Sequence, residues 1–339
     1  MGLFVCVSSR PISVLSKIMN NHDPFPCQEP IVILIGPTAI GKTALSIELA
    51  KEFNFEIISV DSMQVYRFMD IGTAKISQEE MQGVPHHLID VVNPDEPFDA
   101  ALFEKEAIRI IGEINRRGNR VLLTGGTGLY LAALINGLSK KIPGFPEIKK
   151  ELEEQLNIAG ADVLHEQLAS IDCISAKRIH KNDSHRLVRA LEIYQGTGRK
   201  WSELIKEHTM EKSSRFQNVL QIGLTCEREK LYLRIKQRSN AMLENGFQEE
   251  VQWLLGEGYD PGLKSMQSIG YRHMVTHLIG GGGLEEMLDL LTRDTRRYAK
   301  RQYTWFNKIK DLRWLETGYH DQARYLVKDF IHNVSSLGK

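Results

Sequence analysis

The sequence predicts an α/β fold, a parallel sheet flanked by helices with a helical insertion, and three observations carry that prediction. An apolar run, IVILI at Ile31 to Ile35, opens into the Gly-rich GPTAIGKT and then into apolar residues at helical spacing from Ala44 to Phe53. Further β-type runs, EIISV at Glu56 to Val60 and RVLLT at Arg120 to Thr124, alternate with a helical pattern from Ala100 to Arg117. Strands alternating with helices form parallel sheets covered on both faces, with ligands at the carboxyl ends of the strands. Finally, the 339 residues, 42% hydrophobic and 25% charged, match an ordinary globular chain with room for two domains.

Taken in order, residues 1–30 are unperiodic, with Pro24, Pro26 and Pro30 close together, and read as a flexible N-terminal extension. A Ser-rich stretch with Arg10 and Lys17 and no acid before Asp23 raises a transit peptide. The opening MGLFVCV is too short and uncharged for a secretion signal, and Met19 offers a second start. From Ile31 the strands are expected at IVILI, EIISV, HHLIDVV (His86 to Val92) and RVLLT. Around KKIPGFP (Lys140 to Pro146) the punctuation changes, and residues 148 to about 208 read as successive short helices. A strand returns at Asn218 to Leu224, followed by helices to the end. The parse is a core of residues 31–142 and 214–339 interrupted by an insertion domain, 143–213. The Gly280 to Gly283 run reads as a surface turn.

No apolar stretch approaches the roughly 18 residues that a membrane-spanning helix needs. Cys6, Cys27, Cys173 and Cys226 lie far apart without a CxxC pair, which argues against a zinc knuckle or disulfide framework and for a cytoplasmic protein. Forty-three basic and 43 acidic side chains cancel overall, but unevenly. Residues 31–142 carry 11 basic and 14 acidic groups, whereas 226–339 carry 18 and 15. The surplus concentrates at Arg293, Arg296, Arg297, Lys300, Arg301, Lys308 and Lys310, facing the single acid Asp294.

Gly36, Gly41, Lys42 and Thr43 fill the pattern GxxxxGK[ST] between a strand and a helix, the context a P-loop requires. Glycines let backbone N–H groups turn around phosphate oxygens, the helix N-terminus adds its dipole, Lys42 supplies a charge, and Thr43 can ligate a metal. A P-loop does not name the reaction. Two strand-end acids, Asp61 and Asp90, compete for the metal-binding role found in ATPases. For Asp61, helix cap, metal acid and general base all stay open. The turn GGTG (Gly125 to Gly128) ends a neighbouring strand and places Thr127 near the same edge. Arg228 and Arg234 read either as solvated side chains paired with Glu227 and Glu229, or as phosphate clamps.

Near the C-terminus, Arg293, Arg296, Arg297, Lys300, Arg301 and Lys308 stripe a helix, with Tyr298, Tyr303, Trp305 and Phe306 interleaved. The aromatics fit core anchors better than base-stacking platforms, while a basic stripe concentrated in a neutral chain favours RNA. Lys177, Arg178, Lys181, Arg186 and Arg189 form a second basic cluster in the insertion, so that two clusters face one polyanion.

The stretches GPTAIGKT (36–43), SVDSMQVYRFMDIGTAK (59–75), PHHLID (85–90), GGTGLY (125–130), RIHKNDSHRLVRALE (178–192), IGYR (269–272) and AKRQYTWF (299–306) closely resemble the tRNA dimethylallyltransferases, or tRNA isopentenyltransferases, of the bacterial type. The resemblance covers nearly everything from Ile31 to about Leu315. Its departures are Phe68 where Gly is commoner, Ile76 where Pro usually follows IGTAK, and Asn307 where Arg is usual. It implies a P-loop NTPase-like fold, with the loop holding dimethylallyl diphosphate and Mg²⁺ rather than ATP. The dimethylallyl group would pass to N6 of adenosine 37 in tRNAs reading codons that begin with U, the base leaving its stack to enter a channel.

Carried over residue by residue, the resemblance makes Asp61 and Thr127 catalytic, with Asp61 the base or acceptor for the N6 amine. Gly36, Pro37, Thr38, Ala39, Ile40, Gly41, Lys42, Thr43, Arg228 and Arg234 would hold the diphosphate, and Thr43 the metal. Asp61, Ser62, Met63, Gln64, Thr127, Lys149, His185, Arg186, Leu187, Val188, Arg189, Gln267, Ser268, Ile269, Gly270, Tyr271, Arg272, Lys300 and Arg301 would touch the tRNA anticodon stem-loop. A monomer is expected. Two other readings compete: a P-loop kinase or nucleotide hydrolase, which needs ATP turnover, and a non-catalytic RNA-binding module, which has no use for an intact P-loop beside Asp61.

Overall fold

The computed structural model describes residues 29–138, 142–210 and 215–337; the N-terminal extension up to residue 28 and the 213/214 boundary of the insertion lie outside the described residues. In chain order the elements are β1 (Ile31–Ile35), α1 (Lys42–Phe53), β2 (Phe55–Val60), α2 (Gln78–Met81), β3 (His86–His87), α3 (Ala100–Arg116), β4 (Arg120–Gly125) and α4 (Gly128–Asn136). Next come α5 (Pro146–Ile171), α6 (Cys173–Arg178), α7 (Ser184–Thr197) and α8 (Trp201–Met210). The chain continues with β5 (Val219–Thr225), α9 (Arg228–Glu244), α10 (Phe247–Gly256), α11 (Tyr271–Gly280), α12 (Leu284–Phe306), β6 (Arg313–Glu316) and α13 (His320–Leu337).

The strands form one sheet, ordered β3-β2-β4-β1-β5-β6, and every pairing is parallel. β1 is buried on both faces, as strands of a covered parallel sheet must be. Alternation then splits its side chains between two cores. Ile31, Ile33 and Ile35 pack with residues of α3, α4, α10 and α11, while Val32 and Leu34 pack with residues of α1, α9 and α13. A third cluster, built on Leu152, Leu164, Leu168, Leu187 and Leu191, joins α5 and α7 to one another. α5 is broken at Gly160, where the backbone turns to φ 84.

Two elements depart from the sequence reading. The expected strand HHLIDVV is reduced to β3, because Leu88 and Asp90 adopt left-handed φ of 61 and 54. The chain turns there to wrap the buried Lys75 ammonium, which pairs with Asp70 at 2.5 Å and Asp90 at 2.6 Å and donates to the Tyr66 carbonyl. Asp90 is thus a loop partner of Lys75 rather than the acid at a strand's end. β6, with only Leu315 fully buried, is a four-residue edge strand inside the stretch read as helical; so short a segment carries no period to detect. Phe68 also sits at a left-handed φ of 66, which Gly adopts freely, and its ring packs on Trp253 at 5.1 Å.

β2 carries one buried acid. Glu56 takes a two-pronged guanidinium from Arg117 (Nε 3.0 Å, Nη2 2.7 Å) and further bonds with Asn119 and His87. These hydrogen bonds, Arg117 first, hold its carboxyl down at about 2 against the opposing effect of burial. A depressed carboxylate stabilises the fold above its unfolded value, and that contribution disappears as pH falls through the folded one. For Glu56 this amounts to at most about 3 kcal/mol. Glu56→Gln should therefore lower the melting temperature at pH 7 and flatten its decline between pH 5 and 2, as read by calorimetry.

Candidate diphosphate and RNA site

The phosphate loop leaves β1 at Gly36 and enters α1 at Lys42. Gly41 stands at φ 98, a backbone state that a side chain would strain. Lys42 Nζ donates to the carbonyls of Gly36 and Pro37, each at 3.0 Å, so these two residues shape the loop from behind. Burial first, and then nearby Arg238, push the Lys42 ammonium down to about 8, opposed by Asp61.

At the end of β2, Asp61 Oδ1 accepts from the backbone of Met63 (2.8 Å) and Gln64 (3.3 Å). One oxygen thus caps the DSMQ turn, and Oδ2 remains for a ligand. Thr127, preceding α4, pins the same turn from the side, its Oγ1 accepting from the Ser62 amide at 3.0 Å and bonding the Ser62 hydroxyl. Tyr298 of α12 lies beside Thr127, and burial, with Asp61 near, pushes its phenol up to about 12.

The two Gly-rich turns are joined by a residue from the far end of the chain. Gln302, 5% exposed, accepts from the Thr38 amide through Oε1 and donates to the Gly126 carbonyl through Nε2, both at 2.9 Å. A Cβ on Gly126 would fall 2.2 Å from that Nε2, so the close approach requires glycine.

These elements enclose a cavity of about 670 Å³. Of the residues expected at the site, Thr38 to Thr43, Asp61 to Gln64, Arg234, Gln267 to Ile269, Arg272 and Arg301 line it. Others fall elsewhere. Arg228 is exposed and turned onto Tyr232, donating to its hydroxyl at 3.0 Å, whereas Arg234 Nη1 reaches the Ile40 carbonyl at 3.2 Å. Leu187 and Val188 are 0% and 4% exposed in the core of the α5–α7 unit, so their side chains hold that unit together. Tyr271 is also fully buried, its hydroxyl donating to Glu250 at 2.6 Å. Arg189 is spent on the carbonyl of Ile142 and on Glu192. Lys149, His185, Arg186 and Lys300 are exposed and away from the cavity walls.

Arg238 was not among the expected residues, yet it lines the cavity, donates to the Thr73 carbonyl at 3.2 Å and faces Asp61. Its signal was present: Arg234 and Arg238 are four apart and share a helix face, which Arg228 and Arg234 do not. Gln302 and Tyr298 were masked by the basic stripe around them.

A phosphate loop at the carboxyl edge of a parallel sheet, with arginines of α9 and α12 lining the same cavity, defines a P-loop α/β protein. The comparisons narrow this class. A sequence model described as IPP transferase matches residues 64–309. The tRNA dimethylallyltransferase of Desulfotalea psychrophila is 53% identical over 289 residues, covering 85% of this chain and 91% of that protein. The crystal structure of the tRNA isopentenylpyrophosphate transferase of Bacillus halodurans is 42% identical, with a TM-score of 0.68 over 91% of this chain and 99% of that one. A eukaryotic dimethylallyltransferase, described in crystallographic snapshots as acting on tRNA, is 31% identical with a TM-score of 0.76, over 90% and 80% of the two chains. The chain belongs to the IPP transferase family.

The depressed Lys42 ammonium gives a measurable signature. Below pH 8 it is already charged; above, it is largely neutral and must take up a proton to hold an anion. Titration calorimetry with an alkyl diphosphate in buffers of different ionisation enthalpy should show almost no proton uptake at pH 6.5 and close to one proton at pH 9, with the uptake absent in Lys42→Met.

Proposed function

We propose that this chain transfers the dimethylallyl group of dimethylallyl diphosphate to N6 of adenosine 37 in the anticodon loop of tRNAs reading codons that begin with U, releasing diphosphate. The observation that carries this reading is that Asp61 and the phosphate loop line one cavity. Bound in the loop, the diphosphate would meet the backbone N–H groups, Lys42 and Arg234, with Arg238 between it and Asp61. All of these stabilise the negative charge that grows on the leaving oxygen. Asp61 Oδ2 would accept a hydrogen bond from the N6 amine and orient its lone pair on C1 of the donor. The N6–C1 bond forms as the C1–O bond breaks, and the N6 proton passes to the carboxylate.

Mg²⁺ keeps several waters and binds through one or two protein ligands together with substrate phosphates. Thr43, exposed at the start of α1, and the buried, unpartnered Oγ1 of Thr124 in the cavity wall supply hydroxyls for the ion and its waters. When bound it would offset part of the diphosphate charge.

The second substrate enters past a basic mouth. Arg272 and Arg301 line the cavity, and Lys177, Arg178, Lys181 and Arg186 lie exposed on the helical unit. That unit, residues 143–213, would grip the anticodon stem-loop while the adenosine turns into the cavity. A monomeric, cytoplasmic enzyme fits this reading, and among the described residues no helix is long and apolar enough to cross a membrane.

Incubating the protein with Mg²⁺, dimethylallyl diphosphate and unmodified tRNA, followed by nucleoside mass spectrometry, should reveal N6-dimethylallyladenosine. Asp61→Ala should abolish the product while weakening tRNA binding much less. ATP hydrolysis without prenylated nucleoside would instead favour a nucleotide hydrolase.

A further inference from the structure

The basic stripe of α12 is organised around one acid. Asp294, whose side chain is 15% exposed, receives Arg272 Nη2 at 2.7 Å, Arg293 Nε at 3.2 Å and Arg297 Nη1 at 3.2 Å. It also contacts His273 Nε2 at 3.2 Å. His273 Nδ1 accepts from the Gly270 amide, so Nε2 carries the proton and donates it to Asp294. Burial lowers the imidazole below its ordinary value, so the ring acts as a neutral strut between the turn before α11 and the middle of α12.

Three guanidiniums around one carboxylate leave two positive charges uncompensated. Their outer edges are open to solvent, the Arg272, Arg293 and Arg297 side chains being 41%, 52% and 62% exposed. Arg272 also lines the cavity, which puts the cluster at its mouth. A fixed fork of guanidiniums suits a phosphodiester, which accepts paired N–H bonds in that geometry. Such side chains would otherwise spend rotamer freedom on binding; the central carboxylate has already fixed them.

We propose that Asp294 is a positioning residue that holds Arg272, Arg293 and Arg297 as a preformed clamp for one backbone phosphate of the RNA at the mouth of the cavity. The inference rests on the RNA reading of the site and specifies which groups grip the backbone. It also makes a prediction whose sign is diagnostic. Were Asp294 merely an acid on a basic surface, its removal would tighten RNA binding. As an organiser, its removal weakens binding although a negative charge is lost.

The test is fluorescence anisotropy with an anticodon stem-loop RNA, without donor, over a range of salt. Asp294→Ala is expected to raise Kd about fivefold to tenfold, the scale of one net hydrogen bond. The KM for RNA should rise with it, by more than kcat falls. Arg293→Ala with Arg297→Ala, both at exposed side chains, should reduce the slope of log K against log salt by about one. Tighter or unchanged binding in Asp294→Ala, or a fall in kcat without a change in KM, overturns the proposal. Should Asp294→Ala fail to fold, the Arg293/Arg297 pair decides, and an unchanged slope overturns it. Product formation by the wild-type chain is scored separately, so that a failed clamp and a failed prenyl-transfer reading give different results.

Discussion

The site hangs on the amide side chain of Gln302. A parallel sheet ends in a row of loops that the sheet itself does not connect, and the phosphate loop and the GGTG turn are two of them. Gln302 bridges the Thr38 amide and the Gly126 carbonyl from inside the protein, satisfying two backbone groups that would otherwise be costly to bury. Because it lies on α12, the bridge also fixes the helix that carries Tyr298 and Arg301. The DSMQ turn is pinned by Thr127, which follows the GGTG turn's Gly126 directly.

Charge placement follows from that frame. Lys42, Arg234 and Arg238 converge on a cavity that also contains Asp61, and the mutual repulsion of Lys42 and Arg238 is tolerable only with an anion among them. Arg238 and Lys42 are both pushed down by burial and both raised by Asp61. Asp61 is thus an electrostatic counterweight to the phosphate loop and its arginines. The Asp294 cluster at the mouth of that cavity has the inverse design, with one acid organising several bases.

Much of this was legible in the sequence for a physical reason. The GPTAIGKT loop, the GGTG turn and Asp61 lie next to apolar runs whose period fixes the element, so their placement at the carboxyl edge follows from the parallel sheet. Residues whose role depends on tertiary distance were less legible. Gln302 is a polar residue in an amphipathic helix with no local pattern that separates it from solvated neighbours, and the spacing of Arg234 and Arg238 marks one helix face without saying what that face meets. Leu187, Val188 and Tyr271 sit inside signature stretches, but their apolar bodies fill cores. A motif can span both a surface and the packing beneath it. HHLIDVV looked like a strand because its apolar residues run together, whereas the Lys75 ion pairs turn the chain away from the ladder. β6 and β3 are too short for periodicity to register.

The Gln302 bridge also has a temporal consequence. It joins residues 264 positions apart, and a ribosome builds the chain from the N-terminus at about 5–20 residues per second. β1, β2 and β4 with their helices can emerge and pair well before α12 exists. Until then the two Gly-rich turns lack their common strut, and contacts of such long sequence separation are the last a folding chain gains. A nascent chain, or one truncated before α12, would therefore carry the entire phosphate-loop motif without a finished site. The finished site arrives with the same segment that carries the basic stripe.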